Sequence, residues 1–120
     1  MESIFHITSG AIDADTHVIE PQGEIDAATV PELEDALNEL IAAGKRYVIL
    51  DLGEVEFLDS RGVVAIIAAR RRLADAGGEL VTVSADPHIR RVIEIVDDTL
   101  ELNVVASRRD ALRAASALTG

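Results

Sequence analysis

The chain has 120 residues, a formal net charge of −11 and a hydrophobic fraction of 48%. This length and composition are typical of one globular domain and exclude a disordered chain. The strong acidity disfavours binding to a phosphate backbone, and with one Tyr, two Phe and no Trp the chain offers no stacking platform for bases. We therefore predict a single domain over residues 1–120 that does not bind nucleic acid.

Cysteine is absent, which excludes disulfide bonds and thiolate metal sites. Residues 1–6 have neither the basic stretch nor the apolar run of a secretory signal. No stretch approaches the roughly 20 apolar residues that a membrane-spanning helix needs. We expect a cytoplasmic protein that does not insert into a membrane.

The N-terminal segments predict a hairpin. Residues 3–8 and 16–22 mix apolar and polar residues around a turn-like segment, which is typical of two paired strands. Pro21 predicts that the second strand ends early or lies near an edge, because proline donates no hydrogen bond to a neighbouring strand. Residues 23–28 are expected to form a connector.

The rest of the chain alternates between helical and strand patterns. Caps and apolar spacing predict four helices: from Thr29 to Gly44, from Ser60 to about Ala76, from the N-cap Asp86 with Pro87 at the first position, and from Ser107 to near Leu118. Gly77 and Gly78 are expected to end the second of these helices. Three further strands are predicted at 47–52, 80–83 and 102–105. The apolar run at 47–52 predicts a central strand covered on both faces. We predict one α/β domain with a mixed central sheet of about five strands and about four helices.

Catalytic and metal-binding patterns are missing from the sequence. His6, His17 and His88 are scattered, with no spacing that suits a catalytic triad or a metal site, and we interpret them as structural or surface residues. Neither GxxxxGK nor GxGxxG occurs, so no phosphate-binding loop is expected. The sequence therefore predicts a protein that is not an enzyme and that needs no cofactor and no metal.

The basic cluster at residues 70–72 consists of three consecutive arginines inside a predicted helix, close to Asp75. We interpret it as a solvated helix face with partial intrahelical pairing, and a contact with a partner is the main alternative.

Asp59 and Ser60 stand where a central strand leads through a short turn into a helix. Ligands of open α/β sheets favour the carboxyl ends of such strands, and a helix N-terminus attracts anions. Either residue is also a reasonable N-cap, which a helix start ordinarily requires. The local chemistry leaves the two interpretations open, with the cap favoured.

Three segments together resemble the STAS domain of anti-sigma factor antagonists. They are the run from Tyr47 to Val63 with its arginine-rich helix and Gly77-Gly78, the segment Gly23-Glu24-Ile25-Asp26 before a helix, and the stretch from Ser84 to Val92. The resemblance covers nearly the whole chain in the same order.

The resemblance implies a phosphorylation site. In this family the first serine of an Asp-Ser-Ser/Thr-Gly motif is phosphorylated by a partner kinase, and the matching residues here are Asp59, Ser60 and Gly62. Arg61 replaces the usual Ser or Thr, and this difference is expected to affect which kinase recognises the site. Its guanidinium is expected to pair with a phosphate on Ser60 or with an acidic partner.

The implied function is that of an anti-sigma factor antagonist. The unphosphorylated domain would bind an anti-sigma factor of the serine-kinase type and free the sigma factor, and phosphate on Ser60 would end the contact. Partner-binding residues are expected around Ser60, with Val64 exposed and Val63 facing the sheet, and more weakly in the loop after the second strand. The full set is Asp59, Arg61, Gly62, Val63, Val64, Glu24 and Asp26.

Two alternatives remain open, and the oligomeric state is either a monomer or a weak dimer. The first alternative is a STAS scaffold without phosphorylation, such as a subunit of a transport or stress-signalling assembly. The second is a binder of a small anionic ligand or nucleotide that uses the helix N-terminus near Ser60.

Overall fold

The computed structural model describes residues 5–119, with side chains over residues 5–116. Within that part of the chain, an N-terminal hairpin is followed by helices and strands in alternation, except that two strands stand in succession between the first and second helices. The elements are β1 (His6–Ala11), β2 (Thr16–Ile25), α1 (Val30–Ala42), β3 (Tyr47–Asp51), β4 (Glu54–Leu58), α2 (Ser60–Asp75), β5 (Glu79–Val83), α3 (Pro87–Val96), β6 (Asn103–Val105) and α4 (Arg108–Thr119). Residues 3 and 4 of the first predicted strand lie outside the described range.

The sheet is mixed, as predicted, and β3 lies at its centre. Its order is β1-β2-β3-β5-β6, and β4 pairs with β2. The β1–β2 pair is antiparallel, and the remaining pairs are parallel. Helices α1, α2 and α3 cover one face, and α4 covers β3, β5 and β6 on the other. The apolar run of β3 is buried because both of its faces are covered, which confirms that prediction.

Strand β4 was missed by the sequence prediction, which placed a short turn between β3 and the following helix. In the structure β3 pairs with residues 16–19 of β2, and β4 then pairs with residues 22–25 of the same strand. The long strand β2 thus pairs with two short strands, β3 and β4, one after the other along its length. The described sheet has six strands as a result, one more than expected.

The predicted early end of the second strand and the predicted connector at residues 23–25 were wrong, because β2 continues to Ile25. The alternative from Pro21, a strand near an edge, agrees with the structure, since β2 lies next to the edge strand β1 with Pro21 opposite Ile7. Pro21 is tolerated because it lies where the partner of β2 changes: pairing with β3 ends at Ile19, and pairing with β4 begins at Gln22.

The helix boundaries follow their predicted local signals. The Asp86 carboxylate accepts a hydrogen bond of 2.8 Å from the backbone N–H of His88 at the start of α3, as its N-cap assignment requires. Gly44 and Gly77 follow the last residues of α1 and α2 with φ of +80° and +84°, a conformation that favours glycine. The hydroxyl of Ser107 accepts a hydrogen bond from the N–H of Asp110 at the start of α4.

The core divides between the two faces of the sheet. The larger cluster lies under α1–α3 and includes Ile25, Leu50, Leu58, Val63 and Ile66. A smaller cluster under α4 consists of Val18, Ile49, Val81, Val83 and Ala111. No helix of the described chain is long and apolar enough to cross a membrane.

Candidate functional site

Ser60 is the first residue of α2, and Asp59 is the N-cap. The Asp59 carboxylate accepts hydrogen bonds from the backbone N–H groups of Arg61 (3.0 Å) and Gly62 (3.2 Å). The Ser60 side chain is exposed, and its hydroxyl makes no hydrogen bond to any described residue. Of the two residues that the sequence left open as caps, Asp59 therefore has that role, and the Ser60 hydroxyl is left accessible.

Most of the backbone N–H groups at this helix end already have acceptors within the chain. The N–H of Asp59 itself donates to the carbonyl of Ile25 (3.2 Å), and the N–H of Val63 donates to the carbonyl of Asp59 (3.3 Å). With Arg61 and Gly62 bound to the carboxylate, only the N–H of Ser60 remains for an external anion. This arrangement disfavours the alternative of an anionic ligand or nucleotide held by the helix N-terminus.

Gly62 and Val63 lie beneath the surface rather than on it. A Cβ on Gly62 would lie 2.5 Å from Cδ1 of Leu58, so only glycine lets α2 approach β4 this closely. Val63 is buried, whereas Val64 is 57% exposed, as its predicted position on the helix implied. Gly62 and Val63 therefore support the surface around Ser60 from below, and as buried residues they offer a partner no contact area in this conformation.

Glu24 lies in β2 and not in a loop, which corrects the sequence prediction. Its partner in the parallel register is Phe57 of β4, and both side chains are exposed. The misplacement arose because the connector predicted after the second strand is in fact the end of that strand.

Asp26 follows directly after β2 and organises the start of α1. Its carboxylate accepts hydrogen bonds from the N–H groups of Ala28 (3.0 Å) and Thr29 (3.2 Å). The Thr29 hydroxyl donates to the carbonyl of Glu24 (2.7 Å) and accepts from the N–H of Asp26 (3.0 Å). Thr29 occupies the predicted N-cap position, but its side chain caps no N–H of the helix. The contacts of Asp26 are thus structural.

The partner-binding residues predicted at the end of β2 and at the start of α2 lie close together at one edge of the sheet. Ile25 and Leu58 are partners in the register of β2 and β4, and the Asp59-to-Ile25 hydrogen bond ties the start of α2 to the end of β2. Ser60 and Arg61 extend from this edge with exposed side chains. Arg61 makes no ion pair with any residue between 5 and 116.

Phe57 is a surface residue of this edge that sequence reasoning missed. Its aromatic side chain is 48% exposed and stands two positions before the N-cap. A shift in the β2–β4 register between Gly23 and Glu24 turns Leu58 inward and leaves Phe57 outward, next to exposed Glu24 and Glu56. The sequence did contain a signal for this exposure. The residue before the N-cap has to pack under α2, which places Leu58 inside and its neighbour Phe57 outside.

The histidines are dispersed, as the sequence suggested. His6 is exposed on β1, and His88 is exposed at the start of α3. His17 of β2 is partly buried, and its Nδ1 is buried with no hydrogen-bond partner in the described part of the chain. Burial lowers the pKa of the His17 imidazole, and the positive charge of Lys45 lowers it further. Within the described residues no three His, Asp or Glu side chains are grouped as metal ligands.

The three consecutive arginines at 70–72 pair with other elements, so the prediction of intrahelical pairing with Asp75 was wrong. Nε of Arg70 lies 3.4 Å from the carboxylate of Glu79, an ion pair without hydrogen-bond geometry. Arg71 donates from Nε to Glu101 (2.8 Å), which lowers the pKa of that carboxyl. Arg72 donates to the side-chain oxygen of Asn38 (2.7 Å). The cluster connects α2 to α1, β5 and the segment after α3.

Comparison with known proteins defines the family. The model of the STAS domain matches residues 10–111, most of the chain. BtrV of Bordetella bronchiseptica, a candidate anti-sigma factor antagonist, is 35% identical over 94 residues, which cover 78% of this chain and 80% of BtrV. The anti-sigma-B factor antagonist of Staphylococcus aureus is 31% identical over 83 residues, 68% of this chain and 77% of that protein. The chain belongs to the STAS domain family.

The fold of this chain is also similar to a solved structure of an anti-sigma factor antagonist. The crystal structure of an anti-sigma factor antagonist from Mycobacterium paratuberculosis matches with a TM-score of 0.80 and 30% sequence identity, over 91% of this chain and 93% of that one. The resemblance inferred from the sequence is confirmed at the level of family and fold.

Proposed function

We propose that this protein is an anti-sigma factor antagonist that binds an anti-sigma factor of the serine-kinase type through the surface around Ser60. The observation that carries the proposal is the exposed, unbonded hydroxyl of Ser60 beside an N-cap, Asp59, that already holds the helix start. The similarity to anti-sigma factor antagonists over most of the chain supports it. Binding would sequester the anti-sigma factor and so free the sigma factor.

Phosphorylation of Ser60 is the proposed switch. A phosphoserine adds a charge of about −1.5 to −2 near neutral pH. Here it would join the Asp59 carboxylate and the exposed Glu24 and Glu56 at the same edge of the sheet. Burying this added charge in a close-packed contact costs desolvation, and a loss of about 3–4 kcal/mol corresponds to a roughly hundred- to thousandfold weaker complex. The partner is then released.

The hydrogen bonds around Ser60 favour its use as a phosphate acceptor. Because Asp59 caps α2, the serine hydroxyl is not required by the fold and can enter a kinase active site without unfolding the helix. The same protein that is bound as a partner would supply the kinase activity. The domain itself contributes no catalytic group in this proposal, only the acceptor.

Arg61 is proposed to contact the partner rather than the phosphate. Consecutive side chains on a helix point in different directions, so Arg61 is poorly placed to pair with a phosphate on Ser60. Its guanidinium is exposed and has no acidic partner among the described residues. An acidic group on the anti-sigma factor would satisfy it, and this pairing would select a particular partner.

The test is phosphorylation of the full chain by the serine-kinase anti-sigma factors of its own organism with ATP, followed by mass spectrometry. Wild type is expected to gain one phosphate, and Ser60→Ala is expected to gain none. Ser9→Ala, which removes an exposed hydroxyl from β1, is the matched control and should be phosphorylated like wild type. Phosphate that persists in Ser60→Ala would overturn the site. No phosphate from any of these kinases would favour the scaffold without phosphorylation.

A further inference from the structure

A second surface lies on the opposite face of the sheet, between the β1–β2 hairpin and α4. A cleft of about 520 Å³ is lined by Arg108, Arg109, Leu112, Arg113 and Ser116. Two smaller clefts continue it along the hairpin, because they share Arg108, Leu112 and Ser116 with it and Ile12 with each other. We call this surface the α4 groove. Since α2 covers the other face, the groove and Ser60 belong to different faces of the molecule.

The arginines of the α4 groove differ in how they are used. The Arg108 side chain pairs with two carboxylates of the sheet. Its Nε donates to the Asp51 carboxylate (3.0 Å), and its Nη2 lies 3.2 Å from the carboxylate of Glu20. Arg109 and Arg113 are exposed and form no ion pair with any described residue. They are four positions apart, which places them on the same side of α4. The groove therefore has two guanidinium groups without a counter-charge among residues 5–116.

Acidic side chains near the groove do not neutralise these two arginines. Glu20 is paired with Arg108. The Asp13 carboxylate accepts hydrogen bonds from the N–H groups of Asp15 (2.9 Å) and Thr16 (2.8 Å), which lower its pKa and hold it in the hairpin turn. Asp110, three positions before Arg113, forms no ion pair with any described residue and is not among the residues that line the clefts.

The groove also has an apolar floor. Ile12 at the hairpin turn is 49% exposed, and Val18 beside it belongs to the small core cluster under α4. Leu112 lines the cleft between the two free arginines and packs against that same cluster. An occupant must therefore combine negative charge with apolar groups.

We propose that the α4 groove binds an acidic peptide segment of a protein partner, with apolar side chains on the floor and carboxylates at Arg109 and Arg113. Charge complementarity supports this occupant, because the local field of the two arginines acts within a Debye length of about 8 Å even though the chain carries −11 overall. A membrane surface fits less well, since lipid-binding clusters hold about 4–8 basic residues. This second site allows a partner to be bound while Ser60 is engaged or phosphorylated.

The test is an NMR titration of the ¹⁵N-labelled full chain with a short peptide of alternating Glu and Leu. Wild type is expected to show shifts in the amides of Ile12, Arg109, Leu112 and Arg113. The double variant Arg109→Glu/Arg113→Glu should bind at least about tenfold more weakly, since each lost ion pair to a carboxylate weakens the complex. Arg46→Glu/Arg91→Glu changes the charge equally, at exposed sites that form no ion pair with any described residue, and should stay within about twofold of wild type.

Three results of the peptide titration would overturn the proposal. They are the absence of shifts in wild type, equal binding of a peptide with Lys in place of Glu, and equal loss of affinity in the two double variants. Binding to phosphatidylserine vesicles without binding to the acidic peptide would assign the surface to a membrane and would also overturn it. The titration does not involve Ser60, so its outcome is independent of the phosphorylation test.

Discussion

A Cβ built on Gly62 would lie 2.7 Å from Cγ2 of Ile25. Such an approach is closer than real Cβ atoms make, so the first turn of α2 rests directly on the end of β2. The contact sets the distance of Ser60 from the end of β2, because Ser60 is two residues before Gly62 in the same helical turn. The glycine of the motif is therefore required by packing.

Replacing Gly62 with alanine is expected to destabilise the domain by about 1–3 kcal/mol, because the added methyl group overpacks the contact with Ile25 and Leu58. The free energy of unfolding from urea denaturation measures this. Gly10→Ala is the control, since a Cβ there meets nothing within 4 Å, and it should change stability by less than about 0.5 kcal/mol. Equal stability of the Gly62 variant and wild type would show that α2 can shift away from β2 at no cost.

Asp59→Ala is expected to lower the free energy of unfolding by about 1 kcal/mol, because two backbone donors of α2 lose their acceptor. Ser60→Ala should stay within about 0.5 kcal/mol of wild type, since its hydroxyl has no partner in the described chain. Thermal or urea unfolding of the pair provides the comparison. A larger loss for Ser60→Ala than for Asp59→Ala would assign the cap to the serine.

The unfolding free energy is expected to depend on pH through His17. Its pKa in the fold is lowered below the ordinary value of 6.5, so the unfolded chain binds a proton first as the pH falls. The domain therefore loses stability as the pH drops below about 6.5, until the lowered pKa of the folded state is reached. Urea midpoints between about pH 7.5 and 5.5 measure this loss, which should be smaller in His17→Gln. His6→Gln should keep the wild-type dependence, and an unchanged slope in His17→Gln would refute the assignment.

Phe57 is expected to anchor the contact with the anti-sigma factor. Truncation to alanine should weaken that complex by at least about 2 kcal/mol, roughly thirtyfold, as removal of an aromatic anchor does. Stability should change little, because the side chain is 48% exposed. Isothermal titration calorimetry with the anti-sigma factor measures the loss. Ile95→Ala removes an apolar side chain that is 66% exposed near the end of α3, outside both proposed sites, and should leave the affinity unchanged. Equal affinities for both variants would exclude Phe57 from the contact.

The parts of the fold that the sequence predicted correctly depend on local signals. Asp86-Pro87 starts α3 through a carboxylate that reaches two residues along the chain, and Gly77 ends α2 through its own backbone freedom. The burial of Val63 and the exposure of Val64 follow from helical spacing alone. Such features need no knowledge of what lies across the sheet.

The features of the fold that the sequence predicted wrongly depend on contacts between residues far apart in the chain. Strand β4 exists because β2 is long enough to pair with it after a register shift near Gly23, and the same shift exposes Phe57. Arg71 binds Glu101, thirty positions away, rather than Asp75 on its own helix. No local pattern of the sequence encodes these pairings, since each requires the assembled sheet and its connections.

The central claim is that phosphate on Ser60 breaks a contact made by the unphosphorylated surface, and the most direct measurement is the affinity of both forms for the anti-sigma factor that phosphorylates it. Calorimetry with the protein before and after complete phosphorylation should show a loss of about a hundred- to a thousandfold. Affinities of the two forms that agree within about twofold would contradict the switch, even if Ser60 proved to be the residue that carries the phosphate.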